Sequence, residues 1–271
     1  MIIVFLILLI AGILGGLIAG LFGLGGGILF APVLLFLFQS ANVQEPVLWT
    51  VGTSLFCNFI AALSSSYKHI QMGNTFISEG LMTGLFGIAG TFLGRFIATS
   101  PYYSEREFII FFSIILFYSV YHFLRNRKPR SLETATEVHP MRWYHAMLLG
   151  LAAGVLATLA GVGGGLVLVP AMTVFLSFGF RKVVSISSMA IVIITLSGWI
   201  QLALLTPASS GYSGLDVGFV DLGVAFPLVI GSFFAARYGV RLLGIIRLRT
   251  LEIAFSIILL FVAGRMLYGL M

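Results

Sequence analysis

The chain alternates between long apolar runs and short polar breaks. Runs at residues 47–66, 75–98, 108–124, 183–205, 217–236 and 251–269 fall in the range of about 17–25 residues that a helix needs to cross a hydrocarbon core. Four more apolar segments come in two pairs. Residues 2–20 and 28–38 flank one glycine cluster, and residues 143–160 and 166–178 flank another. The second segment of each pair is short for a crossing, because helices of that length rise only about 16–20 Å. The pattern predicts an all-α polytopic membrane protein. Each half is a broken or re-entrant helical hairpin at the glycine cluster, followed by three transmembrane helices. Irregular backbone at membrane depth is tolerated only where it is buried in protein or lines a wet cavity.

The two glycine clusters repeat one phrase. Gly23-Leu24-Gly25-Gly26-Gly27-Ile28-Leu29-Phe30-Ala31-Pro32 and Gly161-Val162-Gly163-Gly164-Gly165-Leu166-Val167-Leu168-Val169-Pro170 share G-x-G-G-G-x-x-x-x-P. The match extends outward. Gly12 and Gly16 align with Gly150 and Gly154, Thr53-Ser54 with Ser187-Ser188, and Gly90 with Gly231. Gly73-Asn74-Thr75-Phe76 falls against Gly218-Phe219-Val220-Asp221. The chain therefore divides into a first repeat at residues 1–124, a polar linker at 125–142 and a second repeat at 143–271.

Charge sets the orientation, since connectors rich in Lys and Arg stay on the cytoplasmic side. Connector 125–142 has five basic and two acidic residues, and connector 237–249 has four basic and none acidic. Lys68-His69 and Arg181-Lys182 are also basic, whereas 39–46 and 207–221 hold no Lys or Arg. Placing the basic connectors inside puts both termini outside and makes the two repeats inverted. The charge count plays no part in finding the repeat, so the two support each other.

Composition narrows the class. The chain is 59% hydrophobic and 9% charged, more apolar surface than a soluble core can hide. Its net charge of +6 lies in connectors rather than on a soluble face, which argues against nucleic acid as a partner. The single cysteine, Cys57, excludes an internal disulfide and a CxxC site. The spans lack HExxH and carboxylate pairs, and no strand precedes a glycine loop as a nucleotide motif requires. The reading is of a protein that is not an enzyme and uses no cofactor or metal. Its partners are the lipid bilayer and a small anionic substrate, and a homo-oligomer is compatible with it.

The candidate site follows from the glycines. Unwound backbone at Gly25, Gly26, Gly27, Gly163, Gly164 and Gly165 offers N–H groups to an anion, aided by the positive end of the next helix. Pro32 and Pro170 lack an N–H and suit the first helical turn, so helices are expected to start there. Thr53, Ser54, Ser187 and Ser188 add hydroxyl donors, and Asn58 lies one helical turn beyond Ser54 on the same face. The remaining glycines Gly12, Gly16, Gly150 and Gly154, at four-residue spacing, read as helix-packing positions. Gly16→Ala is expected to be milder than a change at the triplets. Arg95 reads as an interfacial residue, and Arg237, Arg241, Arg247 and Arg249 as headgroup anchors or an electropositive vestibule.

With these paired motifs, the Val51-Gly52-Thr53-Ser54 start of a span and the later glycine blocks, the chain resembles the sulfite exporter TauE/SafE family across nearly its whole length. The Ile186-Ser187-Ser188-Met189 run departs from the Gly-Thr-Ser-like run common in that family. The resemblance implies an inner-membrane secondary transporter, by its usual association an exporter, of sulfite, organosulfonates and related oxyanions, working by alternating access. The alternative is a membrane-embedded subunit or an anion channel that hands an anionic metabolite to a partner protein.

Overall fold

A computed structural model describes residues 2–73, 76–125, 141–176, 178–242 and 248–268. Most of the linker, with residues 74–75 of a repeat block and position 247 of the basic connector, lies outside the described residues. The first half of the chain contributes α1 (Ile2–Phe22), α2 (Gly27–Ser40), α3 (Pro46–Gln71), α4 (Ile77–Ala98) and α5 (Glu105–Arg125). The second contributes α6 (Trp143–Ala160), α7 (Gly165–Phe175), α8 (Phe180–Ala203), α9 (Leu222–Leu242) and α10 (Leu248–Tyr268). Among the described residues, α1, α3, α4, α6, α8 and α9 are long and apolar enough to cross a membrane. The other two predicted runs, 108–124 and 251–269, fall on α5 and α10, each of 21 residues.

Two local expectations are corrected. Pro32 and Pro170 do not open their helices. α2 begins at Gly27 and α7 at Gly165, which leaves each proline in the second turn. The glycines alone supply the break, because Gly23, Gly25, Gly161, Gly163 and Gly164 all take positive φ. The second correction concerns the run at 217–236, whose first residues are a hairpin. Strands β1 (Asp216–Val217) and β2 (Val220–Asp221) pair antiparallel through Gly218, at φ 55°. The helix starts only at Leu222, where the Asp221 carboxylate accepts the N–H of Val224 at 3.0 Å.

Small residues set the helix packing. Gly12, Gly16 and Gly20 of α1 meet Leu228, Ser232 and Ala236 of α9 in rising order, so the two helices run side by side in one direction. Gly150 and Gly154 of α6 meet Thr83 and Gly87 of α4 in the same way. A Cβ built on Gly16 would stand 2.6 Å from the Ser232 backbone, so this glycine is required by contact. On α3, Cys57 lies against the Ala225 carbonyl and Ser64 donates to the Phe233 carbonyl at 2.6 Å, so α3 runs parallel to α9. Leu55 packs at Gly198 while Ser65 pairs with Ser188, which makes α3 and α8 antiparallel. Gly80 and Gly84 of α4 meet Met189 and Ile193, so α4 runs parallel to α8. Thus α1, α3 and α9 point one way, and α4, α6 and α8 the other.

The outer faces are apolar. Leu85, Phe92, Leu93 and Phe96 of α4, Ile114 and Phe117 of α5, and Phe261 of α10 are exposed. So large an apolar surface calls for lipid rather than water. Inside, Phe22, Phe30, Phe38 and Trp49 are fully buried, and Trp49 packs edge-on against Phe219 of the hairpin turn.

Candidate functional site

The two glycine tips meet each other. The start of α7 at Gly165 lies against the backbone of Leu24, and the start of α2 at Gly27 lies against the backbone of Val162. Each tip therefore touches the first turn that follows the other. A side chain on Gly165 would stand 2.5 Å from the Leu24 Cα, so glycine is needed for the crossing.

Two long helices hold this crossing by hydrogen bonds to its carbonyls. Ser54 Oγ of α3 donates to the Gly161 carbonyl at 2.7 Å, and Ser187 Oγ of α8 donates to the Gly23 carbonyl at 2.6 Å. Asn58 bridges both tips. Its Oδ1 accepts the Gly27 N–H at 2.7 Å, and its Nδ2 donates to the Gly161 carbonyl at 3.0 Å. Ser54, Asn58 and Ser187 are fully buried. Asn58 lies twelve residues into α3, so it sits about 18 Å along the helix axis, near its midpoint.

Nine of the eleven predicted site residues come together here: Gly25, Gly26, Gly27, Ser54, Asn58, Gly163, Gly164, Gly165 and Ser187. The other two point elsewhere. Thr53 Oγ1 accepts the Asp221 N–H at 3.1 Å, which ties α3 to the hairpin. Ser188 pairs with Ser65 of α3 at 3.3 Å. The partnership of the halves is thus Ser54 with Ser187, one residue off the sequence alignment. The same count places Ile191 where the first half has Asn58.

The N–H groups of the tips are the chemically notable feature. The N–H of Gly27 is taken by Asn58, whereas Ile191, the residue that stands in the place of Asn58 in the second half, carries no acceptor and packs at Gly163. Among the described residues, the N–H groups of Gly25, Gly26, Gly163, Gly164 and Gly165 have no hydrogen-bond partner. All five glycines are buried. Unpaired buried N–H groups are costly, and they are donors available to an anion or to water. The sequence reading missed the acceptor role of the Gly23 and Gly161 carbonyls. Both residues end a helix, and the positive φ of a helix-ending glycine frees the last carbonyls for side-chain donors.

Two open cavities lie away from the tips. One of about 360 Å³ is lined by Glu45, Val47, Ala98, Tyr103 and Glu105 at the start of α3. A larger one of about 650 Å³, with Arg265 at its rim, lies between α1, α2 and α10. Neither is lined by a glycine of the crossing.

Several apolar crossings, helices broken at paired glycines and donors buried at the break define a multi-pass membrane transporter. The chain belongs to the Sulfite exporter TauE/SafE family, whose sequence model matches residues 8–266. It is similar to a probable membrane transporter protein of Methanocaldococcus jannaschii, 26% identical over 93% of this chain and 91% of that one. A probable membrane transporter protein of Haemophilus influenzae is 26% identical over 96% of this chain and 97% of its own length. The probable membrane transporter protein YunE of Bacillus subtilis is 25% identical over 97% of both chains. No solved structure matches the chain.

Proposed function

We propose that this protein is a secondary transporter of small sulfur-containing oxyanions, such as sulfite or an organosulfonate, and that it works as an exporter in the inner membrane. The free N–H groups of Gly25, Gly26, Gly163, Gly164 and Gly165 at a buried crossing carry the reading. An oxyanion has several acceptor oxygens and no need of a counter-charge where amide donors converge in a low-dielectric setting. The family membership supports the choice of sulfur chemistry.

The transport cycle in this reading is alternating access by two inverted halves. The opposed directions of α1, α3 and α9 against α4, α6 and α8 support it. Relative motion of the halves opens the tips to one side and then to the other. Both termini face outward on the charge count, and the basic connectors face the cytoplasm. A negative interior drives a monoanion outward by about 2.3 kcal/mol per 100 mV, so efflux needs no coupled cation.

The test is flux in liposomes containing the purified protein alone. Saturable sulfite efflux with counterflow is the expected result. Movement that never saturates favours an anion channel. Binding of the anion without movement favours a subunit that hands it to a partner protein.

A further inference from the structure

A second anion-binding position lies on the seam between α3 and α9, apart from the glycine crossing. Arg237 of α9 is half-buried, and its Nε donates to Ser64 Oγ of α3 at 3.2 Å. The Ser64 hydroxyl donates to the Phe233 carbonyl, so its oxygen is left as an acceptor for the guanidinium. The guanidinium carbon sits 4.4 Å from the Phe233 ring centre and 5.6 Å from that of Tyr67. The two rings and the serine hold the group in place, and cation–π attraction adds to the hold.

Lys182 reaches Glu79 at 4.0 Å, but Arg237 has no carboxylate within ion-pair distance among the described residues. Its terminal N–H groups have no partner there either. Arg241, one turn further on the same face, adds a second positive charge. Arg237 lies near the end of α9, where an unpaired charge usually reaches for a headgroup, a ligand or a pathway. The fold does not need an arginine here. Counting from Gly90 and Gly231, the equivalent position on α4 is Phe96, which is exposed.

We infer that Arg237, oriented by Ser64 and flanked by Tyr67 and Phe233, binds an oxyanion through its free guanidinium fork at the end of the α3–α9 seam assigned to the cytoplasm. The planar fork suits two oxygens of a phosphate or sulfonate. The seam opens beside the exposed Tyr67, toward the headgroup layer, so an acidic phospholipid or a soluble oxyanion can supply that chemistry. Ser64 lies six residues beyond Asn58, about 9 Å along α3, so this position is separate from the crossing.

The test compares wild type with Arg237→Gln, Arg237→Lys and Ser64→Ala in detergent. Phosphatidylglycerol, phosphatidylcholine and sulfate are the probes, read by native mass spectrometry for lipid and thermal shift for sulfate. Loss of a charge-assisted hydrogen bond should weaken binding about ten- to a hundredfold in Arg237→Gln. Arg237→Lys should fall between it and wild type. Ser64→Ala keeps the charge and should lose affinity several-fold, which covers the case where Arg237→Gln fails to fold. A loss confined to phosphatidylglycerol identifies a lipid headgroup as the ligand. A loss confined to sulfate identifies a soluble oxyanion. Unchanged affinity for both in a folded Arg237 or Ser64 variant overturns the site. Sulfite flux through the crossing can persist in either case, so the outcome is distinct from that of the transport test.

Discussion

Asn58 joins the two glycine tips by itself, since it accepts the N–H of Gly27 and donates to the carbonyl of Gly161 with one amide group. Removing it strands a buried N–H and deprives a buried carbonyl of one of its two donors. An unsatisfied buried group costs about 1–3 kcal/mol, so Asn58→Ala should melt measurably lower than wild type in detergent. Asn58→Asp keeps the acceptor for Gly27 and loses the donor to Gly161. It also puts negative charge beside the tips. Sulfite binding should fall further in Asn58→Asp than in Asn58→Ala, and a thermal-shift titration with sulfite measures both. Equal sulfite affinity in wild type and Asn58→Asp would remove the crossing as the anion site.

The packing glycines should respond as contacts rather than as flexible joints. Gly16→Ala drives a methyl against the Ser232 backbone. Gly16→Ala should lower the melting temperature strongly by forcing α1 off α9. Gly179→Ala should be neutral, because nothing lies within 4 Å of its added methyl and its φ is −58°. Size-exclusion profiles and melting curves of the two variants check this, and similar melting for both would contradict the packing.

The orientation assigned from charge can be read with thiols. In a Cys57→Ser background, Tyr102→Cys should label from outside intact cells, since Tyr102 is 90% exposed between α4 and α5. Met72→Cys, between α3 and α4, should label only after the cells are opened. The reverse pattern would turn the molecule over and place the basic connectors outside.

The hairpin before α9 carries a pH response. Burial and the nearby Asp221 carboxylate raise the Asp216 carboxyl above its ordinary range. A raised carboxyl favours folding while it is protonated, and that contribution is lost as pH rises through the folded value. Asp216→Asn keeps an oxygen to accept the Gly211 N–H and removes the repulsion from Asp221. Its melting temperature should match wild type in acid and exceed it at neutral pH. A variant that is less stable than wild type at neutral pH would show that the charge is stabilising.

Much of this architecture can be read from sequence, because bilayer helices and glycine breaks leave strong marks. The apolar runs find α3, α4, α5, α8 and α10 to within a few residues, and the repeated phrase finds both tips. Sequence cannot supply the register between helices far apart in the chain. Aligned by residue type, Thr53-Ser54 stands opposite Ser187-Ser188, but the contacts pair Ser54 with Ser187 and give Thr53 to the hairpin. A shift of one residue turns a side chain by about 100° around a helix, which separates the crossing from its neighbours. The proline signal failed for a related reason. A proline favours a helix start, but triple glycine breaks the helix first.

The replacement of Asn58 by Ile191 in the second half has a further consequence. Two halves that match almost everywhere would make the two tips interchangeable, and a molecule that exchanged them would return to an identical state. One amide facing one branched alkyl group removes that equivalence. The tip at Gly27 has its first N–H occupied, whereas the tip at Gly165 keeps its own free. In the proposed transport reading, an anion between them is held more by one tip than by the other.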